Sequence, residues 1–325
     1  MLRRGAIAAV IVLLLAGTSS YNAIPRAPVI TAPTVVLAAE TDRRDNPRPA
    51  PRLIASGLST PVPRVVLGAS TTSKLVALTF DLDMNAQMEA AARTGAVWIN
   101  RDALAYLESH KIHATLFMTG MWAEVYPTLA RELATNPNFE IADHSYSHPA
   151  FHTPCYRLGG VTRVEQARQI QLAQQAIERT TGVLPKYFRF PGGCYDRQAL
   201  DLVHAAGLIP VQWNVNSIDA FNTYPQQIVS TVLSEVKPGS IVVMHLHGGA
   251  NAPATGLALH SLIPELEKRG YQFLTVSELL AAGTPIQPVD QREVSEFYQP
   301  PLPNKSTPRW CGWVNGPHGR VYVCR

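Results

Sequence analysis

The chain has 325 residues, 46% hydrophobic and 16% charged, which is room for about two domains or one large α/β barrel with appendages. That composition excludes a broadly disordered chain and a charge-rich coiled coil. The net charge of +4 is confined to the N-terminal part, since residues 1–64 carry eight Lys/Arg against three Asp/Glu and the rest carry twenty against twenty-one, so no basic stripe suits the folded part to nucleic acid.

Residues 1–23 read as a signal peptide or anchor. Met1-Leu2-Arg3-Arg4 is a basic n-region, Gly5 to Gly17 is an apolar run of thirteen, and small or polar residues follow from Thr18 to Ala23. Cleavage after Ser19 and cleavage after Ala23 both fit. An uncleaved segment would instead act as a signal anchor in contact with the membrane. Either form implies a secreted or extracytoplasmic protein. Residues 24–64 are rich in Pro and Arg without a sustained period, and read as a linker.

From Lys74 onward short β-rich runs alternate with helical patterns. The predicted strands are Leu75–Phe80, Ala114–Met118, Phe139–Ala142, Tyr187–Phe190, Pro210–Val215, Ile241–His245 and Gln272–Val276. Helices are predicted near 101–110, 122–135, 162–181, 196–206, 225–236 and 256–269, the third stopped by Gly182. Such alternation implies a parallel sheet. Seven units suit a closed or nearly closed β/α barrel, with an open doubly wound sheet as the alternative.

Residues 286–325 form a Pro-rich tail that ends in a predicted hairpin. Cys311 and Cys324 flank an Asn315-Gly316-Pro317 turn and read as a disulfide-closed pair of strands. Cys155 and Cys194 are left to pair with each other, as an even cysteine count in an exported chain suggests. Trp310, Trp313 and Tyr322 of the hairpin read as its own packing, ahead of sugar stacking.

Candidate reactive residues cluster at the C-terminal ends of the predicted strands, the end where β/α barrels build their active sites. Asp81 and Asp83 leave the first strand. The period of two puts both on one side while the strand lasts, so that one suits a metal and the other a base; a capping turn is the plain alternative. His144 and His148 are four apart, a spacing that suits a metal held by one compact loop. His152 reads as an ordinary loop histidine. Arg189 precedes Pro191-Gly192-Gly193, joining a fixed cation able to orient a carboxylate to a backbone that lets an N–H approach an oxyanion. Asn216 and Asp219 follow Val215. His245 and His247 follow Met244, and His245 has the chemistry of a general acid.

Five blocks, Thr79-Phe80-Asp81-Leu82-Asp83, His144-Ser145-Tyr146-Ser147-His148, Arg189-Phe190-Pro191-Gly192, Trp213 to Asp219, and Ile241 to His245, together resemble the polysaccharide deacetylases of the NodB-homology class. The resemblance covers about residues 74–282 and makes 65–285 a deacetylase-like domain. It implies a distorted parallel β/α barrel, a divalent metal that is usually zinc, a polysaccharide substrate and hydrolytic removal of acetyl groups. Carried onto this chain, Asp81 is the general base, His144 and His148 are metal ligands, and Arg189 orients the base. Gly192 N–H helps to hold the oxyanion, and His245 is the general acid. Asp219 and Trp213 are assigned to substrate binding.

Two departures stand out. The family's metal carboxylate falls at Leu82, so Asp83 is expected to supply that ligand from one residue later. In the fourth block Asn216 replaces an aspartate and Ala220 a tryptophan, with Asp219 able to stand in for the missing carboxylate.

Overall fold

The computed structural model describes residues 65–247 and 252–288, with their side chains except at 221, and residues 311–316 and 319–324 as backbone. The expected signal segment 1–23, the linker 24–64 and most of the tail 286–325 lie outside the described residues. Among the described residues no helix is long and apolar enough to cross a membrane.

The first half of the fold runs β1 (Gly68–Ser70), β2 (Leu75–Leu82), α1 (Ala86–Arg93), α2 (Arg101–Ser109), β3 (Ala114–Met118), α3 (Gly120–Val125), α4 (Pro127–Thr135) and β4 (Phe139–Asp143). Next come α5 (Arg163–Thr181), β5 (Tyr187–Phe188), α6 (Arg197–Ala205), β6 (Ile209–Pro210) and β7 (Val215–Asn216). The body ends with α7 (Pro225–Glu235), β8 (Ser240–His245), α8 (Thr255–Lys268), β9 (Gln272–Phe273), α9 (Val276–Ala282) and β10 (Thr284–Ile286).

Local chemistry explains where the elements differ from expectation. The helix predicted over 122–135 divides at Tyr126, because Pro127 takes the first position of α4, where its missing N–H costs nothing. The strand predicted over Gln272–Val276 stops at Phe273. There Thr275 and Glu278 form a reciprocal capping box that starts α9 instead. The strand predicted over Pro210–Val215 splits into β6 and β7, since Gln212 N–H turns to the Val66 carbonyl and Asn214 N–H to that of Ile241. Elements β1, α1 and β10 carry too few periodic residues to be read from sequence. By contrast α5 follows its signals: Thr162 caps its start and Gly182, at φ 77°, ends it.

Strands β8, β2, β3, β4, β5 and β6 lie side by side in parallel. β1 joins β8 and β10 in antiparallel fashion. Val66 bonds to the chain at Pro210 and Gln212 while Gly68 pairs with Ser240. The segment 65–68 thereby links the β6 end of the sheet to β8, and the result is the distorted barrel expected.

The period of two sorts the strand residues. Val76, Leu78, Phe80 and Leu82 of β2 join Leu116 and Met118 of β3 and Val242 and Met244 of β8 in the core under the helices. Ala77, Phe117, Ala142, Ile241 and Val243 fill the inner core with Trp213. Asp81 and Asp83 continue the inner row of β2 to its C-terminal end.

Residues 311–316 (β11) and 319–324 (β12) form the expected antiparallel hairpin, in register with position 311 opposite 324. The Cys311–Cys324 bond falls on side chains outside the described residues.

Candidate active site

Asp83, His144 and His148 each offer one ligand atom, and the three atoms lie within 4.8 Å of one another. Asp83 Oδ1 is 3.3 Å from His144 Nε2 and 3.5 Å from His148 Nε2. The residue at 82 is excluded by strand geometry: Leu82 points into the core under the helices and is fully buried there. With β2 persisting through Leu82, the carboxylate on Asp81's side has to come from position 83.

The loop that presents the two histidines is held tightly. Ser145 and His148 adopt φ of 66° and 62°, in the left-handed region that non-glycine residues rarely occupy. Ser145 N–H donates to Asp143 Oδ1 at 2.8 Å, Ser147 N–H to Gln169 Oε1 at 2.8 Å, and His148 N–H to Ser145 Oγ at 3.1 Å. Gln169 is a buried residue of α5. Asp143 closes β4 as one of the polar residues that the sequence places at strand ends, whereas Gln169 carries no motif that would have marked it. Burial pushes the Asp143 carboxyl well above the usual carboxylate range, against the Ser145 N–H bond.

The donor set fits a divalent cation. His144 Nδ1 lies 2.9 Å from the Arg189 carbonyl. A proton on Nδ1 makes that bond and leaves the Nε2 lone pair facing Asp83. His144 Nε2 and Asp83 Oδ1 are both buried without a hydrogen-bond partner. For His148, burial outweighs the attraction of Asp83 and pushes the imidazole down to about 4, so that it is neutral near pH 7. Asp83 is held well below the carboxylate range: burial raises it, and the nearby His148, His247 and His144 overcome that. Two imidazoles and one carboxylate make a three-ligand site of the kind that leaves further positions open. His152, read from the sequence as an ordinary loop histidine, pairs with Asp196.

Asp81 is held separately. Arg189 Nη1 donates to Asp81 Oδ1 at 2.7 Å, and both residues are almost wholly buried. The guanidinium lies 3.8 Å over the Phe117 ring and 5.4 Å from that of Trp213, a desolvated setting that strengthens the pairing. Asp81 Oδ2 remains on the His144 side, 3.5 Å from Nε2.

His245 is held by Asp219. Its Nδ1 lies 2.7 Å from Asp219 Oδ1, and its backbone N–H donates to Oδ2 at 2.8 Å. Thr255 Oγ1 also donates to Oδ2, and Ser217 Oγ to Oδ1. Burial pushes the His245 imidazole down, but the charge and hydrogen bond of Asp219, with smaller help from Asp83 and Asp81, raise it to about 9. Asn216 serves the local backbone. Its Oδ1 accepts from Ile218 N–H at 2.9 Å, and this Asx turn, with Ile218 at φ 60°, brings Asp219 round under His245.

The two residues assigned to substrate binding are both buried. Asp219 is 1% exposed and Trp213 7%. The Trp213 ring packs against Gly193, where an added Cβ would lie 2.8 Å from it. Gly192 stands in the turn after β5 at φ 61°, and a Cβ there would meet Cys155 Sγ at 2.8 Å. That turn bonds the N–H groups of Gly193 and Cys194 to the Phe190 and Pro191 carbonyls, and leaves Gly192 N–H out of the pattern. The expected Cys155–Cys194 disulfide is present and ties this turn to the loop after β4.

The sequence pattern of the polysaccharide deacetylase family matches residues 68–211. A chitooligosaccharide deacetylase of Sinorhizobium fredii is 32% identical over 182 residues, 52% of this chain and 80% of that protein. A peptidoglycan-N-acetylglucosamine deacetylase of Bacillus cereus is 30% identical over 173 residues, 53% of this chain. The chain spans 60% of that relative's length. Among solved structures, a peptidoglycan N-acetylglucosamine deacetylase in complex with a substituted benzamide superposes with a TM-score of 0.56 at 25% identity, covering 68% of this chain and 94% of that one. A CE4 family pseudoenzyme from Bacillus anthracis shares the fold, with a TM-score of 0.56 at 24% identity over 68% of this chain and 70% of its own.

Proposed function

This chain belongs to the polysaccharide deacetylase family, and from that premise we propose that it is a metal-dependent hydrolase that removes N-acetyl groups from an N-acetylglucosamine-containing glycan. One observation carries the reading. Three metal-type donors, Asp83, His144 and His148, converge within 4.8 Å beside a carboxylate, Asp81, that a different residue holds. Their donor types suit zinc. When bound, the ion supplies a lowered pKa for an attacking water and polarisation of the acetyl carbonyl.

The chain's own groups do the rest. Arg189 holds and aims Asp81 through Oδ1, so that Oδ2 accepts the proton of the attacking water. Gly192 N–H donates to the developing oxyanion. His245, protonated near neutral pH because Asp219 raises it to about 9, delivers a proton from Nε2 to the departing amine while Nδ1 stays on Asp219. Trp213 and Phe117 keep water from the Arg189–Asp81 pair. The substitutions at Leu82 and Asn216 leave this set intact, because Asp83 and Asp219 supply the carboxylates.

The protein acts outside the cytoplasm: the basic and apolar start of the sequence and the Cys155–Cys194 disulfide both fit export. The test is acetate release from an N-acetylglucosamine oligomer by chelator-stripped protein, with and without added zinc. Zinc-dependent acetate is expected. Bound zinc without acetate would move the substrate to an O-acetylated glycan. Neither zinc binding nor acetate would make the protein a non-catalytic glycan binder.

A further inference from the structure

Two chemically loaded pairs lie side by side at the mouth of the barrel: Asp81-Leu82-Asp83 at the end of β2 and His245-Leu246-His247 at the end of β8. The parallel register sets Asp81 beside His245. Leu246 N–H, donating to the Asp81 carbonyl at 3.0 Å, carries the ladder past the end of β8. Leu82 and Leu246 both bury themselves under the helices. The period of two therefore throws Asp83 and His247 to the same inner side, as neighbours.

His247 is 1% exposed, and neither of its ring nitrogens reaches a hydrogen-bond partner. A buried polar group left so costs about 1–3 kcal/mol, and the chemistry described above makes no use of this imidazole. Its Nδ1 lies 3.6 Å from Asp83 Oδ2. The two oxygens of Asp83 are thus divided, Oδ1 toward His144 and His148 and Oδ2 toward His247. No nitrogen of His247 belongs to the 4.8 Å ligand cluster.

We propose that His247 is a positioning residue for Asp83: its Nδ1 stands behind Oδ2 at 3.6 Å, wider than a hydrogen bond, and its polarity biases Oδ1 toward the metal. This rests on reading Asp83, His144 and His148 as the metal ligands. A carboxylate supplied from position 83 comes from the last turn of backbone beyond a strand end, and a polar group behind it limits its freedom to rotate. Donors behind a metal ligand commonly change metal affinity about 10–100-fold.

The test is zinc affinity of the full chain by competition with a chromogenic chelator, for the wild type and for His247→Leu, His247→Asn, His247→Gln and His144→Ala. Asn places its N–H near where Nδ1 stands and Gln near Nε2. His247→Leu is expected to weaken zinc about 10–100-fold, His247→Asn to restore most of that, and His247→Gln to restore little. The metal-free melting temperature of the Leu variant is expected to stay within a few degrees of wild type. Zinc bound by His247→Leu as tightly as by wild type would overturn the proposal. So would Asn and Gln variants that bind alike, a comparison that remains decisive should the Leu variant fail to fold. A wild type that binds no zinc, or a His144→Ala variant that binds it undiminished, would instead overturn the ligand reading on which the proposal rests.

Discussion

The two ends of the barrel treat a carboxylate in opposite ways. At the base, Glu140 near the start of β4 is saturated: Oε2 accepts from Thr115 Oγ1 and from Ser277 N–H, each at 3.0 Å, and Oε1 accepts from Ser277 Oγ. At the mouth, Asp83 is more deeply buried, yet its Oδ1 has no hydrogen-bond partner and faces an equally unpartnered His144 Nε2. A folding chain gains nothing from leaving such atoms unmet. The base network is therefore architecture, joining β3, β4 and α9. The mouth holds its polar atoms open for something that is not part of the chain.

The sharpest break in that comparison comes from His144→Ala. It should reduce zinc affinity by more than about a hundredfold and bring turnover to background, with little loss of metal-free stability. Equilibrium dialysis with zinc checks it, and full retention of metal would remove the distinction between the two ends. Arg189→Leu should cost about 3–5 kcal/mol in denaturant unfolding, because it strands the buried Asp81 charge; a change below 1 kcal/mol would show that water reaches the pair.

Titration tests the His245–Asp219 pair. The His245 pKa stands above its ordinary 6.5, at about 9. The pair's stabilisation is therefore complete below about pH 6.5 and is lost as pH rises through about 9. Asp219→Asn should return the imidazole toward or below 6.5, since burial alone pushes it down; NMR titration of chelator-treated protein reads the shift, and a pKa unmoved by the substitution would dissolve the pair. The smallest effect belongs to the base. Glu140→Gln should cost roughly 1–2 kcal/mol of stability and leave zinc affinity unchanged; a variant weakened in zinc binding would couple the two ends.

Much of this was legible in the residues. The strand cores β2, β3, β4 and β8, the capped helix α5, and the position of each reactive residue at a strand end follow from periodicity and from Thr, Gly and Pro signals, all local. The boundaries of β6, β7 and α9 were not, because distant partners decide them: Val66 and Ile241 redirect the 212–214 backbone, and the Thr275–Glu278 capping box competes with a strand. Asp219 was legible as the carboxylate that can stand in for the one missing at Asn216, but its place under His245 depends on the Asn216–Ile218 turn and the β7–β8 pairing.

The sequence by itself determined which residues share a side. In Asp81-Leu82-Asp83 and His245-Leu246-His247 the spacing alone sends the leucines one way and the polar residues the other. Only the tertiary structure decided which pairs meet. Asp81 finds Arg189 across 108 positions, and Asp83 lies beside His247 because the β2–β8 ladder sets Asp81 against His245. The period of a strand is a property of its own backbone, whereas register depends on hydrogen bonds to another strand, and those exist only once the chain has closed on itself.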